Sequence, residues 1–231
     1  QPHAEADGVV DLPEPVVEPG GGKVAAGEHV ELVAEVDEGV AQLCSGFLLP
    51  TGHLFDDFGG ERTAGCNDYL VITKPQAVEI VHRAFLEAGA DVIETDSFRS
   101  NRITLTEFGL GDRVLEINRA AAALARRVAD EFSTPEKPRF VAGSMGPSGK
   151  LISTEDPQMS NIAFDELVDV FREQAVGLIE GGVDLLLIET SQDILEVKAV
   201  IQGIKAAFAE TGQSLPIQAQ VTLDTTGRML L

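Results

Sequence analysis

The sequence predicts an α/β protein built on parallel strands, and three observations carry that expectation. From Pro75 onward, apolar runs of strand length alternate with amphipathic stretches of helix length. Successive apolar runs end in polar groups: Glu94 to Ser97, Ser144, Glu189 to Ser191, and Thr222 with Asp224 and Thr225. The chain has 231 residues, 44% of them hydrophobic, which is enough to bury a core of ordinary domain size. Strands linked by helices need right-handed crossovers, so the sheet is parallel, either doubly wound or closed as a barrel. In a barrel the carboxyl ends of the strands converge on one mouth, where barrel enzymes do their chemistry.

The elements follow in order. Residues 1–46 carry ten Asp and Glu against the single basic residue Lys23, with a Pro-rich stretch and the run Gly20, Gly21, Gly22. Such a segment buries too little apolar surface to offset chain entropy, so a disordered or non-homologous tail is expected. Only His29 to Val36 alternates enough for a strand or a helical turn. Pro75 suits a first helical position, and Ala77, Ile80, Val81, Phe85 and Leu86 form a stripe that ends near Gly89. Ala90 to Glu94 reads as a buried strand, Leu115 to Phe132 as an Ala-rich helix, and Arg139 to Ser144 as the next strand. Phe164 to Glu180 is helix, Asp184 to Glu189 strand, Ile194 to Glu210 helix and Pro216 to Leu223 strand.

Charge and cysteine content narrow the function. A formal charge of -21 repels polyanions, which argues against nucleic acid or an anionic membrane as partner. The two cysteines, Cys44 and Cys66, make no disulfide framework and lie in no metal-binding cluster, so a reducing, cytoplasmic setting is expected. No long apolar run suggests a membrane span. The turn Gly143 to Gly149 has neither the lysine of a P-loop nor dinucleotide spacing and fits a plain tight loop. His82 falls inside the first long helix, while His3, His29 and His53 are scattered. Glu94 and Glu189 end their strands in the parallel phrases IETDSF and IETSQD. A carboxylate there can accept from a substrate ammonium or act as a base, or can bond a neighbouring loop.

Several consecutive phrases together resemble the homocysteine S-methyltransferase family, in particular the homocysteine-binding domain of its cobalamin-dependent methionine synthases. They are GCNDYLVITKP (Gly65 to Pro75), FLEAGAD (Phe85 to Asp91), VIETDSF (Val92 to Phe98), EINRAAAALARR (Glu116 to Arg127), FVAGSMGPSGKL (Phe140 to Leu151), EGGVDLLLIETSQDILEVKA (Glu180 to Ala199) and VTLDTTGRML (Val221 to Leu230). The resemblance implies a (β/α)8 TIM barrel that binds homocysteine at its mouth. A zinc ion there turns the thiol into a thiolate for methyl transfer, forming methionine.

By the same resemblance Glu189 matches the residue that holds the substrate amino group. Glu94, Thr95 and Asp96 match the second strand-end phrase, commonly ETN, and Asp96 is expected to add negative charge. Ser144 completes the expected substrate-binding set. The family phrase like DGAMGT at the end of the first strand has no clear counterpart, since FLLPTGHLFDDF (Phe47 to Phe58) keeps only fragments. The zinc cysteines of the family stand in phrases like GLNC and GGCC, which do not occur here, so no metal ligand is expected in this chain.

The expectation is therefore an incomplete barrel, about strands 1 to 5, in residues 47–231, since the matching stretch from Asp56 to Leu231 is short of the ~250 residues of a typical barrel. The parent activity implied is homocysteine S-methylation with 5-methyltetrahydrofolate as ultimate donor, its folate and cobalamin modules lying elsewhere in the protein. Betaine or S-methylmethionine as donor is the alternative, and a non-catalytic remnant is a third reading. An aldolase-type barrel would need a strand-end lysine, and Lys150 is only near one.

Overall fold

The computed structural model describes residues 30–32, 54–158 and 160–229. The short helices α1 (Leu54–Asp57) and α2 (Leu70–Thr73) lead into α3 (Pro75–Ala88), β2 (Val92–Glu94), α4 (Arg102–Glu107) and α5 (Val114–Phe132). There follow β3 (Phe140–Met145), α6 (Phe164–Gly181), β4 (Leu185–Ser191), α7 (Ile194–Thr211) and β5 (Ile217–Val221). Val30–Leu32 forms β1, inside the stretch His29 to Val36 that the sequence leaves between strand and turn. The rest of residues 1–53, including Cys44, His3, His29, His53 and most of the Phe47 to Phe58 phrase, lies outside the described residues.

All strand pairings are parallel, in the order β1-β5-β4-β3-β2. From β2 to β5 the neighbours follow chain order without reversal, as in a barrel wall and unlike a doubly wound sheet, whose order reverses at a switch point. The position of β1 differs from the simple expectation. It pairs with β5, Val30 opposite Ile217 and Leu32 opposite Ala219, whereas the first strand of a barrel would join β2.

The helices cover one face of the sheet. Ile93, Val141, Met145, Leu186, Ile188 and Ala219 point into a core shared with Ala122, Ala125 and Val128 of α5, Phe171 and Leu178 of α6, and Val200 and Ile204 of α7. The other face carries Val92 and Phe140, which stay 45% and 42% exposed. A single helical layer outside the strands is the arrangement of a barrel wall. Close approach within that layer depends on small residues: a Cβ on Gly203 of α7 would stand 2.7 Å from the Val168 carbonyl of α6.

The helix ends follow local chemistry. Pro75 opens α3, and Gly89 closes it in the left-handed region at φ 109°, its N–H donating to the Leu86 carbonyl. Asn101 caps α4, accepting from the N–H groups of Ile103 and Thr104. A second cluster, including Phe58, Cys66, Leu70, Val78, Leu105, Val114 and Ile117, seats the short amino-terminal helices against α3 and α5. His82 is buried, as a core residue.

Candidate functional site

Strand register decides which side chains share the inner face. Glu94 stands opposite Ala142, Ala142 opposite Leu185, Ser144 opposite Leu187, and Leu187 opposite Gln218. In parallel strands such partners point the same way and alternate residues repeat the direction, so Glu94, Ser144 and Glu189 all belong to the face away from the helices. Two carboxylates and a hydroxyl therefore meet at the carboxyl end of this wall.

Glu189, half-buried at the end of β4, accepts a hydrogen bond from the Ser144 hydroxyl. Burial raises its pKa, and the Ser144 bond opposes that rise. Glu94 opens to solvent at the end of β2, yet surrounding protein pushes its pKa up to about 7, with the Glu189 charge as the second cause. Burial thus acts on both carboxyls, and the like charge of Glu189 adds to it at Glu94.

A hydrogen-bonded chain behind the mouth fixes Ser144. Its N–H donates to Thr95 Oγ1 at 2.9 Å, Thr95 Oγ1 and Ser97 Oγ lie 2.6 Å apart, and Ser97 Oγ donates to the Ser144 carbonyl at 2.8 Å. Gln174 of α6 donates from Nε2 to the Ser97 carbonyl at 2.9 Å. Thr95 and Ser97 are buried. The Thr95 hydroxyl thus meets protein groups and ties β2 to β3.

Asp96, expected to add charge, stands where its surroundings disfavour the charged form. Its Oδ2 is enclosed without a hydrogen-bond partner, and burial, then the neighbouring Asp68, push its carboxyl well above the usual carboxylate range. Burial in this setting favours the neutral acid. Asp68 itself is buried and accepts from the Arg99 N–H at 2.8 Å and the Ser100 hydroxyl at 3.1 Å. Past β5, Asp224 is taken up by its own turn, accepting from the N–H groups of Thr226 and Arg228.

Two carboxylates absent from the sequence-based set hold the loop after β3. Asp193, fully buried, caps α7 by accepting from the Leu195 N–H and also takes the N–H of Ser153 at 2.8 Å and its hydroxyl at 2.5 Å. Glu196, 1% exposed, accepts from the Ser148 N–H at 2.9 Å and hydroxyl at 2.5 Å. The sequence does carry a signal: Asp193 and Glu196 have the spacing of a capping box, here redirected to a loop 40 to 48 residues earlier. This loop contains the Gly146 to Gly149 turn and is a tied structural segment.

Among the described residues no group of three or more His, Cys, Asp or Glu side chains could hold a metal ion. Cys66 does not fit a thiolate ligand: burial, then the Asp68 charge, push its thiol up to about 12, so it is protonated at neutral pH.

Comparison with known proteins gives three results. A family model described as homocysteine S-methyltransferase matches residues 42–231. The methionine synthase of Mycobacterium tuberculosis (strain ATCC 25618 / H37Rv) is 41% identical over 176 residues, covering 76% of this chain and 14% of its own length. That of Mycobacterium leprae (strain TN) is 40% identical over 176 residues, with the same coverage. The chain thus spans about 14% of the length of these relatives. Among solved structures, the homocysteine methyltransferase MmuM from Escherichia coli superposes in its oxidized form with a TM-score of 0.62 at 16% identity, over 83% of this chain and 62% of that one. Its metallated form gives 0.57 at 16% identity, over 84% and 62%. At such identity the likeness concerns the fold, a partial barrel.

Proposed function

The chain belongs to the homocysteine S-methyltransferase family, and from that premise we propose that its inner wall is the amino-acid side of a homocysteine pocket, in a protein that methylates the homocysteine thiol to form methionine. The observation that carries this reading is the convergence of Glu94 and Glu189 on one face, with Ser144 bonded to Glu189. An α-ammonium is a cation with hydrogen-bond donors, and carboxylates partly withdrawn from water are suited to receive it. Glu189 receives the ammonium; Glu94 adds charge; Thr95 and Ser97 hold Ser144 in place. Asp96 borders the site, its carboxyl pushed above the usual carboxylate range by burial and by Asp68.

The other end of the substrate needs separate chemistry. A thiol with an ordinary pKa near 8.5 is largely protonated at neutral pH and has to be activated before attack on a methyl group. Zinc supplies that activation in the complete domain, as the family resemblance implies. The described residues do not fit a zinc site, and their assigned chemistry ends at binding and orienting the amino acid. Likeness to methionine synthases supports 5-methyltetrahydrofolate as ultimate donor, through cobalamin and folate modules elsewhere in the protein, ahead of betaine or S-methylmethionine. Residues 47–231 are read as the body of the barrel unit, and within the acidic residues 1–46 Val30–Leu32 adds a strand to its sheet. A cytoplasmic setting agrees with Cys66 as a buried free thiol and, among the described residues, no helix is long and apolar enough to cross a membrane.

Equilibrium dialysis with labelled homocysteine tests the reading. Saturable uptake, competed by methionine and weakened in Glu189→Gln, is expected. Absent uptake, or uptake unchanged in that variant, overturns it. Offering methylcobalamin, betaine and S-methylmethionine as donors separates the alternatives: methionine formed from betaine or S-methylmethionine would overturn the proposed donor.

A further inference from the structure

On β5 the residues Ile217, Ala219 and Val221 pack into the core beneath the helices. Side chains alternate along a strand, so Gln218 and Gln220 stand on the other face, the one that carries Glu94, Ser144 and Glu189. Register fixes their heights. Gln218 is level with Leu187 and, through it, with Ser144. Gln220 lies one pleat nearer the mouth, about 7 Å further along the strand. There the ladder contains a β-bulge: Ile188 pairs with Ala219 and Ser191 with Val221, so three steps along β4 match two along β5. Gln220 is the single β5 residue between those pairs and stands across from Glu189 and Thr190. Neighbouring strands lie about 5 Å apart, which puts the Gln220 amide within side-chain reach of whatever the Glu189 carboxylate holds.

Both glutamines are half-buried, and among the described residues neither amide makes a hydrogen bond. An amide partly withdrawn from water without a partner carries a desolvation cost, which a ligand that bonds it removes. The other polar groups of this wall are engaged or turned away. The Ser144 hydroxyl donates to Glu189, and the hydroxyls of Thr95 and Ser97 bond each other and β3. Ser191 is buried, and Thr190 is exposed at the rim.

An α-amino acid carries its ammonium and its carboxylate on one carbon, so an ammonium received by Glu189 brings an anion to the same spot. The charges of Glu94 and Glu189 repel that anion. A neutral donor on the neighbouring strand can receive it without adding charge, and the amide of glutamine has two N–H hydrogens to give. We propose that Gln220 is a substrate-binding residue whose amide donates to the α-carboxylate of homocysteine while Glu189, across the β4–β5 ladder, receives the ammonium. The assignment rests on the proposed function and adds to it the recognition of the carboxylate.

Calorimetric titration with two ligands tests it: homocysteine, and 3-aminopropane-1-thiol, which keeps the ammonium and the thiol but lacks the carboxylate. Gln220→Met keeps the length of the side chain and removes its donors. It should weaken homocysteine about tenfold and leave 3-aminopropane-1-thiol as in the parent chain. Gln220→Glu adds a carboxylate to the mouth, so it should weaken homocysteine further and tighten 3-aminopropane-1-thiol. Opposite responses of the two ligands cannot come from a general loss of folding, and if Gln220→Met does not fold, the Gln220→Glu titrations decide alone. Equal weakening of both ligands, or a homocysteine affinity unchanged in either variant, overturns the proposal. Binding of both ligands by the parent chain, weakened in Glu189→Gln, upholds the proposed function whatever Gln220 does. A parent chain that binds neither overturns that function and the role of Gln220 together.

Discussion

The Ser144 hydroxyl donates to the Glu189 carboxylate across adjacent strands, and the N–H of the same serine donates to Thr95 Oγ1 at 2.9 Å. One residue thus links the end of β4 to the end of β2 through β3. A hydrogen bond to a charged group contributes about 1.5–3 kcal/mol, so its loss is large on the scale of a small ligand's affinity. Ser144→Ala should weaken homocysteine binding roughly tenfold at neutral pH, equal to about 1.4 kcal/mol, as read by calorimetric titration. An affinity unchanged from the parent chain would show that Glu189 does not need this partner.

Glu94 predicts a pH dependence of stability with a definite sign. Its pKa is raised in the fold from 4.5 to about 7, so between those values the folded state holds a proton that the unfolded state has released. Its contribution to stability is full below pH 4.5 and is lost as pH rises through about 7. His82 slopes the other way. Its pKa falls from 6.5 to about 4 through burial, so its contribution is full above 6.5 and is lost as pH falls to about 4. Glu94→Gln should therefore be more stable than the parent chain at pH 8, with the advantage fading toward pH 4.5, in urea unfolding followed by circular dichroism. An advantage that is constant with pH would contradict the shift.

Asp193 and Glu196 make the loop after β3 dependent on the first turn of α7. Asp193→Ala removes a helix cap and leaves the Ser153 N–H and hydroxyl without their acceptor, which should cost about 2–3 kcal/mol. Amide exchange over residues 146–153 should accelerate in this variant and in Glu196→Ala, while β3 itself keeps its protection. Uniform acceleration through the domain would mean that the two carboxylates support the whole fold and not the loop.

Much of this architecture was legible because it is periodic or locally signalled. Pro75 and Gly89 bound their helix as their backbone preferences require, and the run Asp184 to Glu189 forms a strand whose inner and outer residues alternate up to the bulge. The family phrases brought Glu94, Thr95, Ser144 and Glu189 to one place, and the strand ends do converge there. The short helix α4 has a cap in Asn101 but too few residues to show an apolar period. Other features have no local signature. The register shift between Ile188 and Ser191 is a relationship between two strands, the raised pKa of Asp96 depends on enclosure and on Asp68, and Glu196 finds its partner 48 residues away at Ser148.

The central claim is that the carboxylates of this wall receive the ammonium of homocysteine. It is tested most directly by comparing homocysteine with 4-mercaptobutanoate, which keeps the thiol and carboxylate but lacks the amino group, in calorimetric titrations at pH 8. The parent chain should bind homocysteine at least about tenfold more tightly, a preference worth about 1.4 kcal/mol, and Glu189→Gln should erase most of it. Equal affinity for the two compounds in the parent chain, or a preference that survives in Glu189→Gln, would contradict the account.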